Sequence, residues 1–220
     1  TAADVSVIVI AHEPTPDTLA TLTAVRKQCR GRAEVVFVNN GMADEECVEL
    51  KNQVNTYVRL NTNTGAYLSR NIGALYARGS ILLFLDNDAL PEGDLIAAHR
   101  RAYQRYDVVA VRGKILPRTD NPHNALGRHY DLGPRPFSVF ADIEGNTSYR
   151  AETFFKAGGW DDNIVFGGGG VELSRRLAKL EPDLRRQIYI PDAVIRHDYA
   201  VSDEQLARKR QKQASSREYI

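Results

Sequence analysis

The stretch Leu82-Leu83-Phe84-Leu85-Asp86-Asn87-Asp88 constrains this chain more than any other: four apolar residues run straight into two carboxylates one residue apart. The apolar run reads as a strand buried on both faces, and such strands belong to parallel sheets covered by helices. In open α/β sheets ligands bind beyond the carboxyl ends of the strands, which is where Asp86 and Asp88 fall. Two anions so close repel unless a cation lies between them. A hard divalent ion, shared with substrate phosphates, would relieve that repulsion. Asp and Asn also favour turns, so an Asx-rich turn is the competing reading.

The surrounding pattern is that of one α/β chain. Val5 to Ile10 is β-branched and apolar, and Thr15 to Gln28 has helical spacing at Leu19, Leu22 and Val25. Strands at Glu34–Val38, Tyr57–Leu60 and Ile81–Leu85 alternate with helices beginning near Asp44 and covering Ala66–Ala77 and Asp94–Arg105. This rhythm predicts a mostly parallel sheet with right-handed crossovers. After Val108–Val111, residues 113–137 carry four prolines and three glycines and read as loop. Short strands near Val139–Ile143 and Thr147–Tyr149, a helix at Ala151–Ala157, and a glycine-rich loop at 167–170 opening a helix from Val171 to Leu180 complete the pattern. The pattern divides the chain into a mostly parallel half, residues 1–112, and a smaller mixed β half, residues 113–200. Residues 201–220 form a polar, basic tail.

At 43% hydrophobic, 26% charged and a net charge of +1, the 220 residues give no reason to expect nucleic acid as a partner. No apolar run approaches the length of about 20 residues that spans a bilayer. No secretory signal opens the chain, and Cys29 and Cys47 lack metal-ligand spacing. A cytoplasmic protein is expected. The run Arg208-Lys209-Arg210-Gln211-Lys212 offers a surface that could rest on an anionic inner membrane face.

Other strand ends also collect polar residues: Ala11-His12-Glu13-Pro14, Asn39-Asn40-Gly41 and Asn61-Thr62-Asn63-Thr64-Gly65. Several such ends on one edge describe a nucleotide site. Together with Val5-Ser6-Val7-Ile8-Val9-Ile10, Ser69-Arg70-Asn71-Ile72-Gly73, Gly145-Asn146-Thr147-Ser148-Tyr149-Arg150, Gly158-Gly159-Trp160-Asp161 and Glu172-Leu173-Ser174-Arg175-Arg176-Leu177, they resemble the family 2 glycosyltransferases of GT-A fold. The resemblance implies a Rossmann-like central sheet flanked by helices and transfer of a hexose-type sugar from a nucleotide diphosphate, UDP first, to a hydroxyl acceptor, saccharide or lipid-linked. It implies that Asp88, with Asp86 and a late His197, holds Mn²⁺ or Mg²⁺, the metal acting as Lewis acid and template. Ala11, Glu13, Pro14, Asn39, Asn40, Asn63, Gly65, Arg70, Asp86 and Asn87 would line the nucleotide. Asn39 would meet the uracil edge, and Arg70 would add positive charge by the pyrophosphate. Gly145 and Asn146 would lie near the donor sugar, and Trp160 is either a stacking platform for the acceptor or a core residue.

One place departs from the family. Inverting relatives carry an acidic pair where Phe166-Gly167-Gly168-Gly169-Gly170-Val171-Glu172 has Gly169 and Gly170. A positioned general base is worth about 10²–10⁴ in rate. Glu172 ranks first as its replacement, although the positive end of its helix weakens it as a base. Asp161 and Asp162 are further candidates. A retaining mechanism, or a sugar-nucleotide-binding module with little turnover, remains open.

Overall fold

The computed structural model describes residues 3–124, 127–165 and 167–219; Phe166 of the glycine-rich stretch lies outside them. The first half runs β1 (Val5–Ala11), α1 (Pro16–Gln28), β2 (Ala33–Asn40), a 3-10 turn passing into the short α2 (Val48–Lys51), and β3 (Thr56–Leu60). Then come α3 (Ala66–Tyr76), β4 (Ile81–Leu85), β5 (Leu90–Glu92), α4 (Leu95–Arg105) and β6 (Ala110–Leu116). The second half adds α5 (Gly127–Tyr130), β7 (Phe137–Ser138), β8 (Thr147–Arg150), α6 (Ala151–Lys156), α7 (Gly169–Leu180), β9 (Gln187–Arg196) and α8 (Asp203–Tyr219).

The nine strands of the described residues join one sheet in the order β3-β2-β1-β4-β8-β6-β9-β5, with β7 paired to β9. The four strands from β3 to β4 are parallel, as the alternating pattern requires. β8 runs antiparallel between β4 and β6, while β6 and β9 are again parallel. Period-two alternation explains why the sheet is buried on both faces. Val5, Val7 and Val9 of β1, with Leu83 and Leu85 of β4, enter one core with Leu22 and Val25 of α1 and Ala98 and Ala102 of α4. Ile8, Leu82 and Phe84 enter the other, with Tyr67 and Ala74 of α3 and Leu173 and Leu177 of α7.

Several expectations need correction. β6 continues to Leu116, so the loop assigned to 113–137 begins later and holds two short helical turns. No strand covers 139–143; the pairing there is two residues earlier, in β7. The sequence reading missed β9, although its Ile188-Tyr189-Ile190 and Ala193-Val194-Ile195 runs are strand-like. It also missed β5, whose three residues include a proline and carry no such signal. Gly169 and Gly170 are not loop residues but the first turn of α7. No helix among the described residues is long and apolar enough to cross a membrane.

Candidate active site

The site is built from the turn that leaves β4. Asp86 accepts the Ala89 N–H through its carbonyl at 3.2 Å, which closes a tight turn around Asn87 and Asp88. Helix α1 holds that turn from outside: Asn87 Nδ2 donates to Thr18 Oγ1 at 2.8 Å, and Thr21 Oγ1 donates to the Ala89 carbonyl at 3.0 Å. The chain then pairs at once, as β5, with β9 in antiparallel register Leu90↔Arg196, and Glu92 and Arg196 reinforce the pair at 2.6 Å. Because His197 is the next residue after β9, this short pairing carries its imidazole to Asp88, with Nε2 3.1 Å from Oδ1. Two residues 109 positions apart in sequence meet through a three-residue strand.

The electrostatics agree with that contact. Burial would lift the Asp88 carboxyl, yet the hydrogen bond and charge of His197 hold it below its ordinary value. Burial would depress the His197 imidazole, and Asp88 and then Asp86 raise it instead. Asp88 remains 46% exposed at its side chain, so the pair opens to solvent.

Asp86 points the other way. Its Oδ1 takes a 2.7 Å hydrogen bond from Nη2 of Arg70 on α3, and Nη1 of the same guanidinium lies 3.4 Å from Glu144 Oε2. Arg70 is buried. Burial disfavours its charge, but Asp86 and Glu144 together raise its pKa above the ordinary value. The expected positive group therefore stands beside Asp86, already bound to two carboxylates. Gly145 permits the close approach of this loop: a Cβ there would fall 2.0 Å from Asp86 Oδ2.

Lys209 of α8 comes to the same place from the end of the chain. Its ammonium donates to the Tyr199 carbonyl and sits 4.9 Å over the Tyr199 ring. Burial lowers its pKa, while Asp86 and Asp88 pull the other way. The tail is thus a helix whose Leu206, Lys209 and Gln213 are half-buried, and Gln213 accepts from the Tyr199 hydroxyl at 3.1 Å. A helix is one of the two readings the polar tail allows, the other being a frayed end; the packing of one side of that helix is what the sequence reading lacked. The spacing of these three residues was the missed signal.

Other expected site residues have different roles. Asn39 is fully buried; its Oδ1 accepts the Met42 N–H at 2.7 Å and its amide donates to the Met42 carbonyl and the Tyr57 hydroxyl, so both its N–H groups are used within the fold and its side chain is closed off from solvent. Asn40 ties Asn63, Thr64 and Gly65 together and likewise holds the strand ends rather than facing a ligand. Asn146 is buried, with φ of 105°, and its amide donates to the Lys114 and Ala193 carbonyls at 2.9 Å. It is a structural residue and not a sugar contact. Trp160 is 1% exposed and packs edge-on against Phe84 and Tyr149 and stacked on Tyr67, so it is core and no acceptor platform. Ala11 is buried at the end of β1, while Glu13 and Pro14 are exposed beyond it.

Glu172 is held bidentate by Arg176, with Nε–Oε1 at 2.5 Å, and Arg176 in turn donates to the Ala157 and Gly159 carbonyls. That ion pair fastens α7 to the loop before Trp160. Asp161 accepts from Asn163, and Asp162 is exposed beyond Trp160. Among the described residues no group of three His, Cys, Asp or Glu side chains converges as a metal cage.

Comparison with known proteins bears on the whole chain. Among solved structures, a mannosyltransferase from Pyrobaculum calidifontis in complex with GDP-Man and Mn²⁺ superposes with a TM-score of 0.73 at 20% identity, over 97% of this chain and 61% of that one. GalNAc-T7 with UDP, GalNAc and Mn²⁺ gives 0.71 at 18% identity, over 91% of this chain and 45% of that one. Staphylococcus aureus TarS with UDP gives 0.68 at 16% identity, over 97% and 65%. These likenesses establish the GT-A fold. In sequence, the uncharacterised glycosyltransferase YfnE of Bacillus subtilis is 31% identical over 96 residues, covering 42% of this chain and 24% of its own. A Haemophilus influenzae uncharacterised glycosyltransferase is 34% identical over 84 residues, covering 38% and 29%. The matched segments thus span about a quarter of the length of these relatives. The sequence profile of Glycosyl transferase family 2 matches residues 6–166, most of the chain, and the chain belongs to that family.

Proposed function

We propose that this domain transfers a sugar from a nucleoside diphosphate sugar to a hydroxyl acceptor with a divalent metal held by Asp88 and His197. The single observation that carries the reading is the 3.1 Å contact between Asp88 Oδ1 and His197 Nε2 at the open end of β4. Cis ligands of an octahedral ion at 2.0–2.1 Å lie about 3 Å apart, so the two donors are spaced to share one cation. A carboxylate and an imidazole make an acceptable donor pair for Mn²⁺. Diphosphate oxygens and water would supply the remaining positions.

The chain's own groups divide the work. Asp88 and His197 would hold the cation, and its charge would offset the charge that gathers on the departing diphosphate. Arg70 fixes Asp86 on the inner side, and Lys209 adds a positive group on the outer side. With the Asn39 amide engaged in the fold, the argument for uracil from that residue fails. UDP and GDP sugars are therefore equal candidates, in keeping with the GDP-Man of the mannosyltransferase complex and the UDP of the TarS complex.

Calorimetry of UDP and GDP with and without Mn²⁺ tests the reading. Asp88→Asn and His197→Gln should each reduce the metal-dependent gain in affinity by at least about tenfold, roughly 1.4 kcal/mol. Affinity that is unchanged in both variants ends the metal assignment. A second reading, a sugar-nucleotide-binding module with little turnover, is favoured by Gly169, Gly170 and the engaged Glu172, which leave α7 without a free carboxylate in its first turn.

A further inference from the structure

We propose that Glu144, in the loop before β8, is the general base of this domain and replaces the acidic pair absent from α7. The inference rests on the transferase reading above and extends it to the acceptor.

The geometry starts from the two glycines. A Cβ on Gly169 would lie 2.3 Å from the Tyr67 ring, and one on Gly170 would lie 2.7 Å from the Asp142 carbonyl. The space beside the first turn of α7 is therefore filled by Tyr67 and by the segment that leads into Glu144. The Gly169 N–H donates to the Tyr67 hydroxyl at 3.1 Å, and that hydroxyl donates to Glu144 Oε1 at 2.6 Å. A carboxylate is thus connected to the opening of α7 through one hydroxyl, though it comes from another part of the chain. On its other side Glu144 shares the Arg70 guanidinium with Asp86, so it lies one guanidinium away from the turn that carries Asp88.

The neighbouring acids are engaged more tightly. Asp142 is held by the buried Arg112 guanidinium, and Glu172 by both arms of Arg176. Glu144 accepts one short hydrogen bond from Tyr67 and one long, charged one from Arg70, leaving about two of its four lone pairs unused. Its side chain is 23% exposed, so an acceptor hydroxyl can reach it.

In the step assigned to it, the acceptor oxygen forms its bond to C1 of the sugar. The C1–O bond to the diphosphate breaks, its electron pair leaves with the diphosphate, and the acceptor proton passes to Glu144. This order requires inversion at C1.

The test uses UDP-glucose and GDP-mannose with Mn²⁺, alone and with alkyl glycosides as acceptors. It follows diphosphate release and the product anomer by NMR. Glu144→Gln should lower kcat by about 10²–10⁴, while the calorimetric affinity for nucleoside diphosphate stays within a few-fold of wild type. Tyr67→Phe removes the hydroxyl without removing the carboxylate and should keep kcat within about tenfold. Equal losses in the two variants would mean that Glu144 only supports Tyr67 and α7, and would overturn the assignment. So would an unchanged kcat in Glu144→Gln, retention at C1, or a wild type that binds diphosphate with Mn²⁺ yet releases none from either donor. Should Glu144→Gln fail to fold, Glu144→Asp, which shortens the reach to the acceptor, should show the same split between kcat and affinity. A wild type that shows no metal-dependent diphosphate binding refutes the underlying transferase reading instead, and is distinguished by the calorimetry alone.

Discussion

At positions 169 and 170 the backbone of α7 runs between the Tyr67 ring and the Asp142–Ile143 backbone, and both contacts depend on the absence of a side chain. Restoring the acid of the relatives at this point is therefore not a neutral graft. A Cβ at residue 170 must push backbone atoms, and overpacking of this kind costs about 1–3 kcal/mol. Gly170→Asp should lower the melting temperature by several degrees, at about 2–4 °C per kcal/mol for a domain of this size. It should not raise transfer. A stable, faster Gly170→Asp variant, measured by calorimetric melting and product release, would show that the segment yields more easily than its packing indicates. The glycines were legible in the sequence as a departure from the family. What fills their place was not, because Tyr67 lies about a hundred residues back along the chain and Glu144 about twenty-five.

Helix α4 and the strands beside it are joined by a buried hydrogen-bonded chain behind the site. Asn146 Nδ2 is committed to two carbonyls, so its Oδ1 faces His99 and accepts from Nε2–H at 2.9 Å. Nδ1 then accepts from the Ser148 hydroxyl at 2.8 Å, and Ser148 accepts from the Tyr103 hydroxyl at 3.1 Å. The chain links α4 to β8, to β6 through Lys114, and to β9 through Ala193. Burial depresses the His99 imidazole from 6.5 to about 4, with only partial relief from Asn146. Its folded pKa lies below the unfolded value, so the unfolded state takes the proton first and acid favours unfolding. The contribution is complete above pH 6.5 and is lost progressively as the pH falls towards about 4, on the order of a few kcal/mol. His99→Gln keeps a donor and an acceptor but cannot titrate. Its melting temperature should start lower and fall less steeply over that range, and a profile parallel to wild type would sink the idea. The helix itself was readable from the sequence. The network was not, since its members carry no spacing signal and meet only when β8 enters the sheet antiparallel between β4 and β6.

Across the whole molecule, the middle of the chain and its C-terminal part close on one edge of the sheet. The turn after β4 supplies Asp86 and Asp88, the end of β9 supplies His197, and α8 folds back to set Lys209 near them. With Lys209 turned inward, the basic run no longer presents all its charge on one outer surface, and Arg208 is paired to Glu204 at 2.6 Å. The ammonium should favour a diphosphate over an uncharged nucleoside. Lys209→Ala is expected to weaken UDP or GDP binding by between a few-fold and about tenfold, roughly 1 kcal/mol. It should leave uridine and guanosine nearly unchanged in the same titration. Equal effects on the charged and uncharged ligands would show that α8 acts by packing alone.

The amino-acid sequence alone determined the alternation of strands and helices, the double burial of the central strands, the carboxylates at the end of β4 and the family. These follow from local periodicity and from motifs a few residues long, which need no knowledge of the rest of the chain. Only the tertiary structure decided which polar residues are used up inside the fold and which gather at the β4 edge. It turned Asn39, Asn146 and Trp160 into supports of the fold, and it brought His197, Glu144, Arg70 and Lys209 to the β4 edge. Whether a side chain reaches solvent or is used up by neighbours depends on strand register and on contacts between distant segments. That information appears only when the sheet closes.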